Sequence, residues 1–302
     1  MIAGFDTMRL LWTSALLPAA LLAQVELVSP LGKKLVAQAD EKGLVAKADA
    51  ELKNDPGNPE KIFAAARARD GIWKFSESIP LYTKGMQVAP TDFRFPRYRG
   101  HRYISTRQFD KAVRDLELAR KLAPGSFDVA YHLALAHYLK GDFAKAAAEY
   151  GRCLDMVGKP ESAPPLPQGV RSCAELKEDE NTRVAILEWR YRALRRSGKD
   201  AEAEKLLDQV GDEMKVAENM PYYETLLMYK GMRTEKQILD PSRMSGNQFS
   251  TSGFGIANYH LLEGNKRKAC ELFRKIVEEP TWSAFGYIAA EAELVRGACK
   301  DE

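Results

Sequence analysis

Residues 75–86 read FSESIPLYTKGM, residues 109–120 read FDKAVRDLELAR and residues 143–154 read FAKAAAEYGRCL. The phenylalanines that open them, Phe75, Phe109 and Phe143, stand 34 residues apart. The columns behind them keep register: Ser78, Ala112 and Ala146, then Tyr82, Leu116 and Tyr150, then Gly85, Ala119 and Cys153. Ahead of each phenylalanine a small residue holds one column, namely Ala66, Gly100 and Ala134. Pro90 and Pro124 end the first two units, and Gly158 with Pro160 ends the third. A fixed period of this length marks helical hairpins stacked into an array. Each column has a mechanical reason. Small residues let the two antiparallel helices of a unit approach, and the large apolar residue fills the gap to the next unit. Proline opens the following helix with a preset φ and no donor to waste.

Working outward, the pattern loosens. A fourth unit is expected over residues 184–218, with Leu187, Leu194, Gly198, Ala203, Leu207 and Val210 in the matching columns. Between units three and four lies a Pro-rich insert, 161–183, which reads as a surface loop or an extended strap. Residues 219–249 predict a degenerate helical hairpin ending in a polar turn, MSGNQFSTSG. A fifth unit with a closing helix is expected over 250–298, the helix covering the apolar face that a last unit exposes. At the front, LGKKLVAQADEKGLVAKADAELK predicts one amphipathic capping helix within 31–56, stopped at Asn54-Asp55-Pro56-Gly57. Hydrophobic residues make up 45% of the chain and no alternating strand pattern stands out, so the fold class is all-α.

The 59–160 stretch resembles a tetratricopeptide repeat (TPR) array. That resemblance implies a right-handed superhelix of antiparallel helix pairs and a protein or peptide partner. The segment YHLLEGNKRKACELFRKIVEEP, 259–280, is also similar to the end of periplasmic TPR lipoprotein adaptors of Gram-negative bacteria. Those are dimeric and bring a cell-wall hydrolase to its protease. The resemblance therefore implies an exported scaffold, with an envelope adaptor as the alternative and a homodimer as one state to expect. This chain lacks the adaptors' lipid-attachment cysteine after its N-terminal apolar run.

That run, LLWTSALLPAALLA from Leu10 to Ala23, follows the positive charge of Arg9. It is short for a membrane span, which needs about 20 residues. A charge, a short apolar core and a terminal small residue have the shape of a secretory signal peptide, 1–23, cleaved after Ala23. The other reading is an uncleaved anchor or a buried helix. Export implies a periplasmic or secreted protein whose membrane contact is confined to that segment. The four cysteines fall into two local pairs, Cys153 with Cys173 and Cys270 with Cys299. In an oxidising compartment each pair can close a disulfide; otherwise the four are idle thiols.

Chemistry-bearing motifs are lacking. There is no HExxH, GxSxG or phosphate-loop glycine pattern, and no Cys/His zinc spacing. The chain thus reads as a non-enzyme without cofactor or metal, an unrecognised enzyme being the remote alternative. A net charge of only +3 argues against a nucleic-acid partner. The informative charges are local. In TPR arrays the first helix of each unit lines the concave groove. Carried over column by column, that places Phe63, Arg67, Arg94, Arg97, His101, Tyr131, Tyr138, Arg192, Arg195 and Arg196 in the groove. The resemblance thus implies a basic, Tyr-lined trough suited to an acidic or carboxylate-ended segment. The competing reading is a solvated helix face whose arginines pair with nearby carboxylates. Arg99 sits where leucine is usual, which marks it as an ion-pair member. His137 and His260 fall in packing columns.

Overall fold

The computed structural model describes residues 24–160, 165–240 and 246–300. The predicted signal peptide, 1–23, lies outside the described residues. The chain enters as an antiparallel hairpin, β1 (Val25–Val28) and β2 (Lys34–Val36), with Leu27 opposite Leu35. The first helix, α1 (Leu44–Asn54), starts only after it. A single capping helix from Leu31 is therefore a misreading. Gly32 and Gly43 both take left-handed backbone, φ 80° and 63°, and break the chain on either side. Leu35 is buried between exposed Lys34 and Val36, which is strand periodicity. Asp40 then caps α1, accepting from the Leu44 and Val45 N–H groups at 2.9 and 3.0 Å.

The three regular units are α2 (Pro59–Gly71) with α3 (Phe75–Val88), α4 (Arg94–Ser105) with α5 (Phe109–Leu122), and α6 (Phe127–Lys140) with α7 (Phe143–Leu154). Asn58 caps α2 by accepting from Glu60 and Lys61 N–H. The small columns are small because neighbours leave no room. A methyl group on Gly85 would fall 1.9 Å from the Phe95 ring, and one on Gly100 would fall 2.7 Å from Leu116. Arg99 pairs bidentately with Asp115 at 2.6 and 2.8 Å across unit two.

Units then become irregular. A long α8 (Glu180–Arg196) is followed by a short α9 (Asp200–Leu206), α10 (Met220–Tyr229) and the single turn α11 (Glu235–Ile238), which carries a Thr234/Gln237 capping box. The long α12 (Gly246–Leu262), α13 (Lys266–Ile276) and α14 (Phe285–Arg296) complete the helical array. The polar stretch 244–253 was expected to turn, yet α12 is already helical at Gly246. Its glycines serve packing: a Cβ on Gly255 would meet Thr225 at 2.7 Å.

Two disulfides pin the irregular parts. Cys153–Cys173 fastens the far edge of the insert, where Phe127 N–H donates to the Arg171 carbonyl and Cys173 N–H to that of Gly125. Cys270–Cys299 fastens the chain after α14. Gly297, at φ 88°, turns the backbone back so that Cys299 reaches α13. Loops of 20 and 29 residues stabilise by roughly 3 kcal/mol each through lost unfolded-state entropy.

The array does not stay open. Trp282, just before α14, is buried against Trp73 and Phe75 of unit one, with ring centroids 5.4 and 5.5 Å apart. Its indole N–H donates to the Val36 carbonyl of β2 at 2.9 Å. Lys33 reaches the Val277 carbonyl and Glu278, and Arg107 pairs with Glu291 at 2.7 Å, both side chains nearly inaccessible. The N-terminal hairpin and the first two units thus clasp the C-terminal helices. One column explains who does the clasping. At the turn between the two helices of each unit, Gly141, Gly198 and Gly264 have φ 90°, 75° and 78°. In units one and two that left-handed place is held by Trp73 and Arg107, at φ 60° and 62°. A large L-residue costs about 1–2 kcal/mol there. Both side chains offset it by gripping Trp282 and Glu291.

Candidate functional site

Closure changes the expected groove. Helix α12 lies against α8 and α14 against α6, over the part of the marked surface that units three and four supply. Tyr138 is buried and donates to Asn258 Oδ1 of α12 at 3.1 Å. Tyr131 is buried beside Tyr222 and Phe285. Arg192 is 1% exposed, paired with Glu188 and stacked 4.3 Å from the Trp189 ring. Arg196 pairs with Glu293 of α14 at 2.7 Å, and Arg195 with Asp200 and Glu263. These five residues therefore do not line an open trough. They are the inner wall to which the C-terminal helices bind, and the acidic partner of Arg196 is the chain's own α14.

Four others, Phe63, Arg67, Arg94 and Arg97, stay together at the front of the array. Tyr98 lies between two guanidinium groups, Arg67 at 4.6 Å and Arg97 at 4.1 Å from its ring centroid. Phe63 packs edge-on to Tyr98 at 5.0 Å and carries Arg94 over its face at 4.9 Å. Arg94 is bound by Asp92 and by Glu60, while Arg67 keeps 45% of its side chain in solvent. Arg97 is nearly inaccessible and donates to Asp128 at 3.1 Å.

Behind this face lies a cavity of about 590 Å³, to which His101 of the expected groove belongs. Helix α2 gives it Asp70, α4 gives His101, Arg102 and Ser105, and Trp73 and Phe75 come from the turn between α2 and α3. Helices α10, α12 and the start of α14 close the opposite side with Tyr222, Asn247 and Phe285. Asp70 accepts from Tyr82 at 2.6 Å and from Arg67 at 3.2 Å, which satisfies one carboxylate oxygen. Arg102 stacks on Phe75 at 4.4 Å and stands 3.7 Å from that same oxygen. Burial pushes the Arg102 guanidinium below its ordinary pKa despite Asp70.

His101 and His132, widely separated in sequence, meet at 4.3 Å, with Phe285 against both. The Nδ1–H of His132 donates to the Asp128 carbonyl. Burial first, then the neighbouring Arg97, holds the His132 pKa down at about 3. Burial and the adjacent Arg102 likewise hold His101 well below the ordinary histidine value. Burial works against the Asp128 carboxylate too, yet Arg97 and His132 bring its pKa below the usual value.

The sign of the pH response follows. Both imidazoles are neutral when folded and charge in the unfolded chain near pH 6.5, so the unfolded state binds more protons as pH falls. Stability should drop by about 1.4 kcal/mol per pH unit for each imidazole between about pH 6.5 and about pH 5. Denaturant midpoints across that range measure it, and His132→Phe should remove one imidazole's share of the slope, His137 being lowered by burial as well. A slope unchanged by that substitution would exclude the buried-imidazole account.

No protein-family model matches the chain. Over 81 residues it is 31% identical to small glutamine-rich tetratricopeptide repeat-containing protein 2 of Saccharomyces cerevisiae. The match takes in 27% of this chain and 23% of the yeast protein, so the chain spans about a quarter of that relative's length. Among solved structures it is similar to YrrB, a TPR protein with an unusual peptide-binding site, at 12% identity and TM-score 0.44 over 78% of this chain and 92% of that one. A tetratricopeptide repeat protein from Parabacteroides merdae ATCC 43184 matches at 14% identity and TM-score 0.39, over 81% of this chain and 90% of its own. Superpositions at that level carry no weight about ligands. What identifies the repeat is internal: a 34-residue period in sequence realised as paired helices with tight small-residue columns. On those grounds residues 59–160 form an array of tetratricopeptide-type repeats, and the irregular C-terminal half is folded back on it.

Proposed function

We propose that the chain is an exported protein-binding scaffold that holds an acidic partner segment against the first-helix face of units one and two. The observation that carries this reading is the half-exposed Arg67 guanidinium stacked on Tyr98 beside Phe63. An aromatic platform flanked by guanidinium groups offers rigid contact area together with bidentate donors, the chemistry that acidic segments use. The closed rear wall limits the contact to this front face, so a partner docks across it and does not thread the superhelix. Export is supported by the charge and apolar run ahead of residue 24 and by the two closed disulfides, which persist in oxidising compartments.

Arg67→Glu with Arg94→Glu is the test, read as binding of synthetic acidic, neutral and basic peptides of matched length. Both residues are partly exposed, so the fold should persist. Acidic peptides should bind best to the unaltered chain and at least about tenfold more weakly to the double variant. Equal binding by both proteins would remove this face from consideration. Peptide mapping of exported protein, with its mature terminus near Gln24, tests the location.

A further inference from the structure

The cavity behind the front face has properties that protein docking does not use. It is a cleft open to solvent between two regions far apart in sequence, α2 to α4 on one side and α10 to α14 on the other. Its volume, about 590 Å³, lies within the range of small-molecule sites. Three buried polar atoms on residues that line it have no hydrogen-bond partner: Arg102 Nε, Asp70 Oδ1 and His101 Nδ1. Native proteins satisfy nearly all such atoms, since each costs roughly 1–3 kcal/mol when left alone. Arg102 is the most exceptional, because its side chain is 8% exposed and its nearest carboxylate oxygen, 3.7 Å away, is already claimed by Tyr82 and Arg67. Arg67, Arg97 and Arg102 stand with Asp70 and Asp128 around the cluster, exposed Glu218 also lines the cavity, and the two imidazoles are neutral. Phe75, Phe285 and Trp73 supply apolar walls beside Arg102.

We propose that this cavity binds a small organic carboxylate that carries an N–H or O–H donor next to the carboxylate and an apolar body. The carboxylate pairs with Arg102, the adjacent donor goes to Asp70 Oδ1, and the apolar body lies against Trp73 and Phe285. Arg102 belongs to no column that lines a repeat groove, and half the lining comes from the folded-back C-terminal helices. The site is therefore a product of closure, and it is independent of whether an acidic segment docks on the front face.

The probes are N-acetyl-L-phenylalanine, which has carboxylate, adjacent N–H and ring, its neutral primary amide, and 3-phenylpropanoate, which lacks the donor. Titration calorimetry on the full chain gives affinities, and tryptophan fluorescence reports on Trp73 and Trp282. The acid should bind, the amide at least about tenfold more weakly, as expected when one charge-assisted pair is lost, and 3-phenylpropanoate in between. Arg102→Gln, which removes the charge, should reproduce the amide's loss while leaving binding of acidic peptides to the front face intact. No binding of N-acetyl-L-phenylalanine at millimolar concentration, equal binding of acid and amide, or equal binding by a folded Arg102→Gln protein would each overturn the proposal. If Arg102→Gln does not fold, the acid and amide on the unaltered chain still decide it.

Discussion

Arg192→Met should destabilise the protein by about 3–5 kcal/mol, because it strands a carboxylate in the deepest part of the core. Glu188 is wholly buried and Arg192 is 1% exposed, one helical turn apart on α8. Burial raises the Glu188 pKa even against the pull of Arg192, a measure of how costly the bare carboxylate is there. The guanidinium also contributes its plane, lying 4.3 Å from Trp189 and 4.9 Å from Phe254. Methionine keeps much of that packing volume, so the loss reports mainly on the stranded charge. Adding Glu188→Leu should recover most of it, since two apolar side chains of similar volume fit where the pair sat. Tyr229 keeps a partner in the Gly255 carbonyl at 3.2 Å when the carboxylate is gone. Urea denaturation of the two single variants and the double closes the cycle. If Arg192→Met costs less than about 1 kcal/mol, Arg192 reaches solvent, and its placement in an open groove regains force.

The contrast between Arg67 and Arg192 shows how far the sequence is legible. Columns 34 residues apart fix each residue's neighbours within its unit and the next, because those contacts are local and periodic. Hence the helices over 59–160 and the packing role of Tyr82, Leu116 and Tyr150 follow directly. Contacts between unit one and α14 have no period. Nothing in RRSGKD or in WSAFGY says that Arg196 meets Glu293, or that Phe285 meets His101. The groove columns divide in the folded chain: later helices cover Tyr131, Tyr138 and Arg192, while Arg67 and Arg94 stay partly in solvent. The hairpin was missed because Leu, Val and Ala in LGKKLVAQAD suit either period over so short a run. One signal was present and unused. The glycine column represented by Gly141 holds Trp73 and Arg107 in the two earlier units. A residue that accepts a left-handed backbone without being glycine is held there by something, and here it is the returning C-terminus.

Trp282→Ala should cost about 3–5 kcal/mol, the range for emptying a large aromatic from a packed core. The location of the loss is more informative than its size. In an open solenoid each unit touches only its neighbours, so damage before α14 would stay in the last units. Trp282 instead touches three distant parts: its ring lies against Trp73 and Phe75, its N–H binds the β2 carbonyl of Val36, and its own carbonyl accepts from Arg107 at 3.0 Å. Hydrogen exchange should therefore speed up at both ends of the chain, in β1–β2 and α2 as well as in α13 and α14. Trp282→Phe separates the two contributions: it keeps most of the apolar contact and loses the indole donor, and should cost about 1 kcal/mol plus a smaller packing loss. Exchange confined to α12–α14 in the alanine variant would mean that the two ends touch without supporting each other. The cavity behind Tyr98 would then have only one firm wall. If both ends loosen together, closure is a cooperative part of the fold, and the cleft between them is held from both sides.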